Sequence, residues 1–395
     1  MNQQVSLQRI LSNMKKLYYL PFLILILIVS CKKTPKIEKR ITVSDVAKTI
    51  TVADLQRHLT IIAGADMEGR NTPSPGLEKA ADYIIARFQE FGLMPGNKGS
   101  FRQNYSTLTP FANMIPVILD MNTTSTTNNG YNQFLYHAEL NSMAQSHHNQ
   151  ALIINAPQDT ASNIIGIIEG TDKKNEYVIV SAHYDHAGKT AQGLINYGAD
   201  DNGSGTVCMM EIAEAFAFAQ KNGLAPRRSV IFLAVSGEEK GLWGSAYYSN
   251  HPLFPLENTS AAVNMDMIGR IGNEYLNDKD SVNYVYVIGD NKISTEIPGI
   301  IDNANKNLNL KMDKKYNDPN DPLRIFYRSD QYSFAKKGVP VTFFFSGLHP
   351  DYHTPADTVD RIAFGIMAKR AQLVFYTVWD IANREGMLKR DISGL

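Results

Sequence analysis

The chain has 395 residues, with 39 basic and 39 acidic side chains and therefore no net formal charge. That balance gives no electrostatic footprint for nucleic acid, so no nucleic-acid partner is expected. A composition of 44% hydrophobic and 10% aromatic residues is ordinary for a globular protein and ample for a substantial core.

The N-terminus comes first in chain order. Met14-Lys15-Lys16 leads into the apolar run Leu17 to Val29, which ends at Ser30-Cys31. A membrane-spanning helix needs roughly 20 apolar residues, and this run is shorter. A basic start, a short apolar stretch and a small residue before the break describe a secretory signal. The sequence Ile28-Val29-Ser30-Cys31 resembles the cleavage site of a bacterial lipoprotein, with Cys31 lipidated after processing. Residues 1–31 are thus expected to be a lipoprotein signal, with Met14 as an alternative start. The competing expectation is an uncleaved N-terminal anchor. Lipidated Cys31 would attach the chain to a membrane of the cell envelope, with the remainder outside the cytoplasm, periplasmic or at the surface. Cys208, in the apolar stretch Val207 to Ala219, then lacks a disulfide partner and is expected to be a buried small hydrophobe.

Residues 32–45 read as a tether, charged from Lys32 to Arg40, and residues 46–395 as one domain. Gly76 to Phe91 places Leu77, Ala80, Ala81, Ile84, Phe88 and Phe91 on one helical face. Pro75 after Ser74 suits the first helical position, and Gly92 a stop. Asn122 to Asn132 is a Thr/Asn-rich loop. From residue 160 the pattern alternates. Tyr177 to Val180, Ser229 to Ala234, Ala261 to Met265, Tyr284 to Ile288 and Pro340 to Phe345 read as strands. Gly205 to Lys221, Trp243 to Ser249 and Leu373 to Ala382 read as helices, and Asp313 to Pro322 as a polar loop. Continuous apolar strands alternating with helices predict an α/β fold: a mixed, mostly parallel central sheet with helices on both faces. In such folds ligands gather beyond the carboxyl ends of the strands.

Polar motifs stand at those ends. His183-Tyr184-Asp185 follows one strand, and a metal-bound histidine needs its second ring nitrogen held, a task a nearby carboxylate can perform. Gly198-Ala199-Asp200-Asp201-Asn202-Gly203-Ser204-Gly205 opens a helix, where Asp201 or Asn202 can cap the backbone, bind a metal, or both. Ser236-Gly237-Glu238-Glu239-Lys240-Gly241 offers adjacent carboxylates that leave the backbone in different directions, so that one can bind metal while the other faces a bound water. Asp266 in Asn264-Met265-Asp266-Met267 is a charge among apolar neighbours, costly unless paired or bound to a cation. His353 sits in the turn His349-Pro350-Asp351-Tyr352-His353-Thr354-Pro355-Ala356-Asp357-Thr358. His186 and His349 lie close enough to these motifs to be candidate substrate contacts. His58, His137, His147, His148 and His251 have no ligand-like context.

The order His-Tyr-Asp, Gly-Ala-Asp-Asp-Asn-Gly-Ser-Gly, Gly-Glu-Glu, Asn-Met-Asp-Met and Tyr-His-Thr-Pro-Ala-Asp-Thr resembles the co-catalytic dizinc aminopeptidases, metallopeptidase family twenty-eight of clan H. The likeness runs over about residues 50 to 385 and implies the zinc-dependent exopeptidase, or phosphorylase/hydrolase-like, fold. By this resemblance His183 and Asp266 would bind one zinc, Glu239 and His353 the other, and Asp201 both. Asp185 would orient His183, Glu238 would be the general base, and Tyr352 would steady the tetrahedral intermediate. Three ligand carboxylates against two divalent ions leave a net charge of about +1, which favours ionising a bridging water. Mixed histidine and carboxylate donors suit zinc, with cobalt or manganese as substitutes. Arg328-Ser329-Asp330 also resembles a family motif, although Ser329 or Asp330 is expected to cap the helix ending near Gly338.

The expected activity is that of a metal-dependent exopeptidase, an aminopeptidase acting on peptide substrates. The alternative is a single-zinc glutaminyl-peptide cyclotransferase-like enzyme, which shares the fold; members of that group often carry Trp where Tyr352 stands. A non-catalytic binding protein is disfavoured because all seven expected positions, five metal ligands, the base and the orienting Asp185, are filled.

Overall fold

The computed structural model describes residues 41–107, 160–277 and 282–393. The signal, Cys31, most of the tether and the Thr/Asn-rich loop lie outside the described residues. In chain order the first helices are α1 (Val43–Ala47), α2 (Val52–Ile62) and α3 (Pro75–Phe91), followed by strands β1 (Met94–Pro95), β2 (Arg102–Ser106), β3 (Thr160–Ile168) and β4 (Lys173–His183). Next come α4 (Gly205–Lys221), β5 (Arg228–Val235), α5 (Trp243–Asn250), β6 (Thr259–Met265) and β7 (Tyr284–Ile288). The last are α6 (Ile297–Ala304), β8 (Lys311–Asp313), α7 (Gln331–Ala335), β9 (Val341–Phe345) and α8 (Phe364–Asn383).

The strands form one mixed sheet in the order β1-β3-β5-β4-β6-β9-β7-β8, with β2 also paired to β3. Its centre, β5-β4-β6-β9, is parallel. Antiparallel pairs flank it, β3 with β5 on one side and β7 with β9 on the other. Every residue of β5, β6 and β9 is buried, the pattern of strands covered on both faces. One face packs under α2, α3, α4 and α8, where Leu59, Ile84, Phe216 and Phe375 share a core with Val178, Val180 and Phe232. The other packs under α5 and α7, where Tyr248 and Phe334 meet Ile179, Ile231 and Phe343.

Local signals explain the helix limits. Ser74 accepts the amide of Leu77, Pro75 begins α3, and Gly92 ends it in the left-handed region at φ 87°. Burial of Leu77, Ala80, Ala81, Ile84, Phe88 and Phe91 docks the predicted face. Order also begins earlier than a tether to residue 45 allows. Thr42 and Asp45 form a capping box at α1, and Val46 and Ala47 are buried. Cys208 is a buried free thiol, as its apolar setting implies. Among the described residues no helix is long and apolar enough to cross a membrane.

Candidate metal centre

Strand β4 lies between β5 and β6, so the connection from β4 to β5 leaves in one direction and the connection from β5 to β6 returns across it. This reversal opens a crevice beyond the C-terminal end of β4, the place where open α/β sheets hold ligands. His183 is the last residue of β4, Glu238 and Glu239 follow β5, Asp266 follows β6, and His353 lies in the segment after β9. Asp201 comes from the turn before α4, where Gly205 must be glycine: a Cβ there would lie 2.3 Å from Asn202 Oδ1 and 2.5 Å from the Met265 carbonyl oxygen. The helix therefore starts tight against the end of β6.

Two groups of donors result. His183 Nε2 lies 3.4 Å from Asp201 Oδ1, 3.4 Å from Asp266 Oδ1 and 3.9 Å from Glu238 Oε2. His353 Nε2 lies 3.0 Å from Asp201 Oδ2 and 3.2 Å from Glu239 Oε2. The two oxygens of Asp201 thus face two different histidines. Donors about 2.0–2.2 Å from one tetrahedral ion stand roughly 3.3 Å from one another, so both groups have suitable spacing. Buried His183 Nε2, Asp266 Oδ1 and Glu239 Oε1 have no hydrogen-bond partner, which a cation among them would remedy. The residues present therefore fit a pair of metal ions.

Titration behaviour separates the members. Burial opposes charge on both histidines, but the carboxylates of Asp266 and Glu238 hold His183 well above the ordinary imidazole range. Glu239 and Asp201 bring His353 up to about 11. Burial would raise Asp201, yet its histidine partners hold it well below the carboxylate range. Glu239 falls to about 2, because His353 and His186 outweigh burial and the neighbouring Asp201 charge. Burial dominates at Glu238, with Asp266 and Glu239 adding repulsion, and lifts it well above the ordinary value. Glu238 keeps proton affinity while Glu239 stays anionic.

Surrounding residues fix these donors. His183 Nδ1 meets the Asp185 backbone oxygen at 3.2 Å and its carboxylate Oδ1 at 3.5 Å, so both the backbone and the side chain of Asp185 face this ring nitrogen. The Asp185 carboxylate accepts from Thr72 and from the amide of Glu238, tying the ends of β4 and β5 together. Ser329 donates to Asp266 Oδ2 at 2.7 Å and is itself held by Asn264, which Ser181 holds in turn. Neither Ser329 nor Asp330 makes a side-chain cap on α7, so the capping expectation fails: Ser329 spends its hydroxyl on Asp266.

Asp357 accepts the amides of Asp200 and Asp201, joining the His353 segment to the Asp201 turn. Asp200 in turn accepts the Gly269 amide at 2.6 Å and pairs with His349. His186 and His349 are both buried, each against a carboxylate, and so do not have the exposure of substrate contacts. Buried Arg70 donates to the carbonyls of Ile62, Tyr184, Tyr197 and Gly198, and buried Arg370 to those of Tyr284, Ile268 and Arg270. These guanidinium groups brace the loops on either side. Tyr352 stacks on His353 with ring centroids 3.8 Å apart, accepts from Arg328 at 3.4 Å, and burial keeps its phenol protonated.

Residues 163–378, more than half of the chain, match the profile of peptidase family M28. The chain belongs to peptidase family M28. Aminopeptidase YwaD of Bacillus subtilis is 27% identical over 238 residues, covering 57% of this chain and 46% of that protein. The chain therefore spans about half the length of that relative. The aminopeptidase from Aneurinibacillus sp. strain AM-1 has the same fold, with a TM-score of 0.57 at 16% identity over 90% of this chain and 98% of that one. Bacteroides thetaiotaomicron glutaminyl cyclase does too, with a TM-score of 0.55 at 14% identity over 84% of this chain and 98% of that one. Fold alone thus fits either chemistry.

The supporting residues Asp200, Ser329, Asn264, Arg70 and Asp357 were not singled out for these tasks by sequence. Asp357 had a signal, its place in the His353 motif. Arg70 had none, because its partners are backbone carbonyls.

Proposed function

We propose that this member of peptidase family M28 is an aminopeptidase that holds two zinc ions, bridged by Asp201, and hydrolyses the N-terminal peptide bond of its substrates. The observation that carries the reading is the division of Asp201, whose Oδ1 faces His183 and whose Oδ2 faces His353. His183 and Asp266 would hold one ion, Glu239 and His353 the other. Histidine and carboxylate donors together suit zinc, and cobalt or manganese would substitute. When bound, the ions supply an acidified water and polarise the scissile carbonyl.

The chain's own residues do the rest. Glu238, kept basic by burial and by neighbouring carboxylates, takes the water's proton and returns it to the leaving amine. Asp185 keeps the His183 ring in place through its backbone oxygen and its carboxylate, and that carboxylate also positions the Glu238 backbone. The Tyr352 hydroxyl, neutral and beside His353, donates to the developing oxyanion. Lipidated Cys31 would keep this centre at the cell envelope, outside the cytoplasm.

The second reading, a single-zinc glutaminyl-peptide cyclotransferase, is supported by the shared fold. It is disfavoured by the two donor groups around Asp201 and by tyrosine at 352. Incubating the purified protein with peptides bearing free, acetylated or glutaminyl N-termini, with and without chelator, tests both. Release of the first residue from free N-termini only, abolished by chelator, is expected. Cyclisation of N-terminal glutamine without hydrolysis would transfer the assignment to the second reading.

A further inference from the structure

We infer that His186 is a fourth protein donor to the ion held by His353, Glu239 and Asp201, so that the two metal sites are unequal. This rests on the two-ion reading above. The His186 ring is wholly buried, and neither ring nitrogen has a hydrogen-bond partner. An imidazole in that state forfeits its hydration without return unless something else fills the gap.

Its surroundings say what that is. Nδ1 lies 2.9 Å from Glu239 Oε1 and 3.8 Å from Asp201 Oδ2, and donor atoms of the three residues lie within 4.8 Å of one another. Despite the 2.9 Å approach, neither Nδ1 nor Glu239 Oε1 is satisfied as a hydrogen-bonding atom, because they are not aligned on one another. Atoms that share an ion behave this way: they come close while their lone pairs converge elsewhere. His183 Nε2 and Asp266 Oδ1 show the same combination, 3.4 Å apart and both unsatisfied.

The backbone makes room for the ring. Gly198 has φ 56°, and a Cβ there would lie 2.5 Å from His186 Cγ and Cδ2. The T-shaped contact with His353, centroids 5.7 Å apart, leaves both imidazoles at the same pair of carboxylates. One site then has two imidazoles and two carboxylates, and the other has His183, Asp201 and Asp266. The first should fill first and more tightly, leaving the three-donor site beside Glu238 with the more open coordination sphere.

The test is X-ray absorption at the zinc edge on chelator-stripped protein reloaded with one equivalent of zinc, with zinc affinities measured in parallel. Two imidazoles on the first ion are expected in the wild type and one in His186→Ala, whose tighter site should weaken by about 100-fold. His186→Asn keeps an N–H donor for Glu239 without the imidazole donor, and should weaken as much as His186→Ala. A single imidazole in the wild type, or restored affinity in His186→Asn, would overturn the inference. The wild-type count stands even where a variant misfolds. Failure of the wild type to take a second zinc would instead count against the two-ion reading.

Discussion

Glu238 and Glu239, adjacent in the chain, answer to different histidines: Glu238 Oε2 lies 3.9 Å from His183 Nε2, and Glu239 Oε2 lies 3.2 Å from His353 Nε2. Their proton affinities part accordingly, Glu238 well above and Glu239 well below the ordinary carboxylate. Glu238→Gln removes the proposed base and none of the donors assigned to the ions. It should retain both zinc ions while turnover drops about 10²–10⁴-fold. Elemental analysis alongside steady-state kinetics checks this, and near-normal turnover would remove Glu238 from the base role.

Asp201 and Asp266 should differ in how much metal they cost. Asp201→Ala deletes the donor that faces both histidines, whereas Asp266→Ala deletes one that faces His183 alone. After equilibration with zinc and desalting, Asp266→Ala should keep about one ion, and Asp201→Ala should bind both weakly. Equal metal loss in the two variants would contradict the bridging geometry.

Asp357 supplies no donor atom to either group, yet its carboxylate holds the backbone amides of Asp200 and Asp201. Bonds of this charge-assisted kind are each worth about 1.5–3 kcal/mol. Asp357→Asn should destabilise the protein within that range and lower zinc affinity about 10–100-fold. Denaturant titration and competition with a chelating dye report the two effects. Unchanged zinc affinity would mean that the Asp201 turn holds its shape without Asp357.

Buried Asp330 has its carboxyl pushed up from 3.8 to about 7, chiefly by burial. Its folded form therefore binds a proton that the unfolded chain has already released between those values, so this group's contribution to stability falls as pH rises across that window. Asp330→Asn has no such proton. In metal-free protein the variant should gain on the wild type by a few kcal/mol from about pH 4 to pH 7 and keep the advantage above it. Denaturation midpoints at pH 5 and pH 8 measure the gain; a pH-independent difference would contradict it.

Cys31 gives a prediction from sequence. Cys31→Ser should move the protein from the membrane fraction to the soluble fraction on cell fractionation. Persistent membrane attachment would favour an uncleaved N-terminal anchor.

Sequence showed the parallel core because its strands are long, apolar and buried on both faces, as β5 and β6 are. It showed α3 because Ser74, Pro75 and Gly92 mark the helix ends chemically. Strand β3 is not legible in the sequence: Thr160–Ile168 pairs antiparallel with β5, and an apolar run does not reveal direction. The donors were legible because they follow strands in a recognisable order. Their support was not. Arg70 acts through carbonyls distant in sequence, and Ser329 has the sequence context of a helix cap although its hydroxyl lies 2.7 Å from Asp266. In sequence His186 is only a candidate substrate contact, since nothing there shows that its ring faces inward.

Stepwise zinc addition to chelator-stripped protein, following bound metal and release of the first residue from a free-N-terminal peptide together, tests the central claim most directly. We predict that two equivalents bind and that full hydrolysis is reached only with the second. Full activity at one bound zinc, with no second ion taken up, would contradict a centre bridged by Asp201.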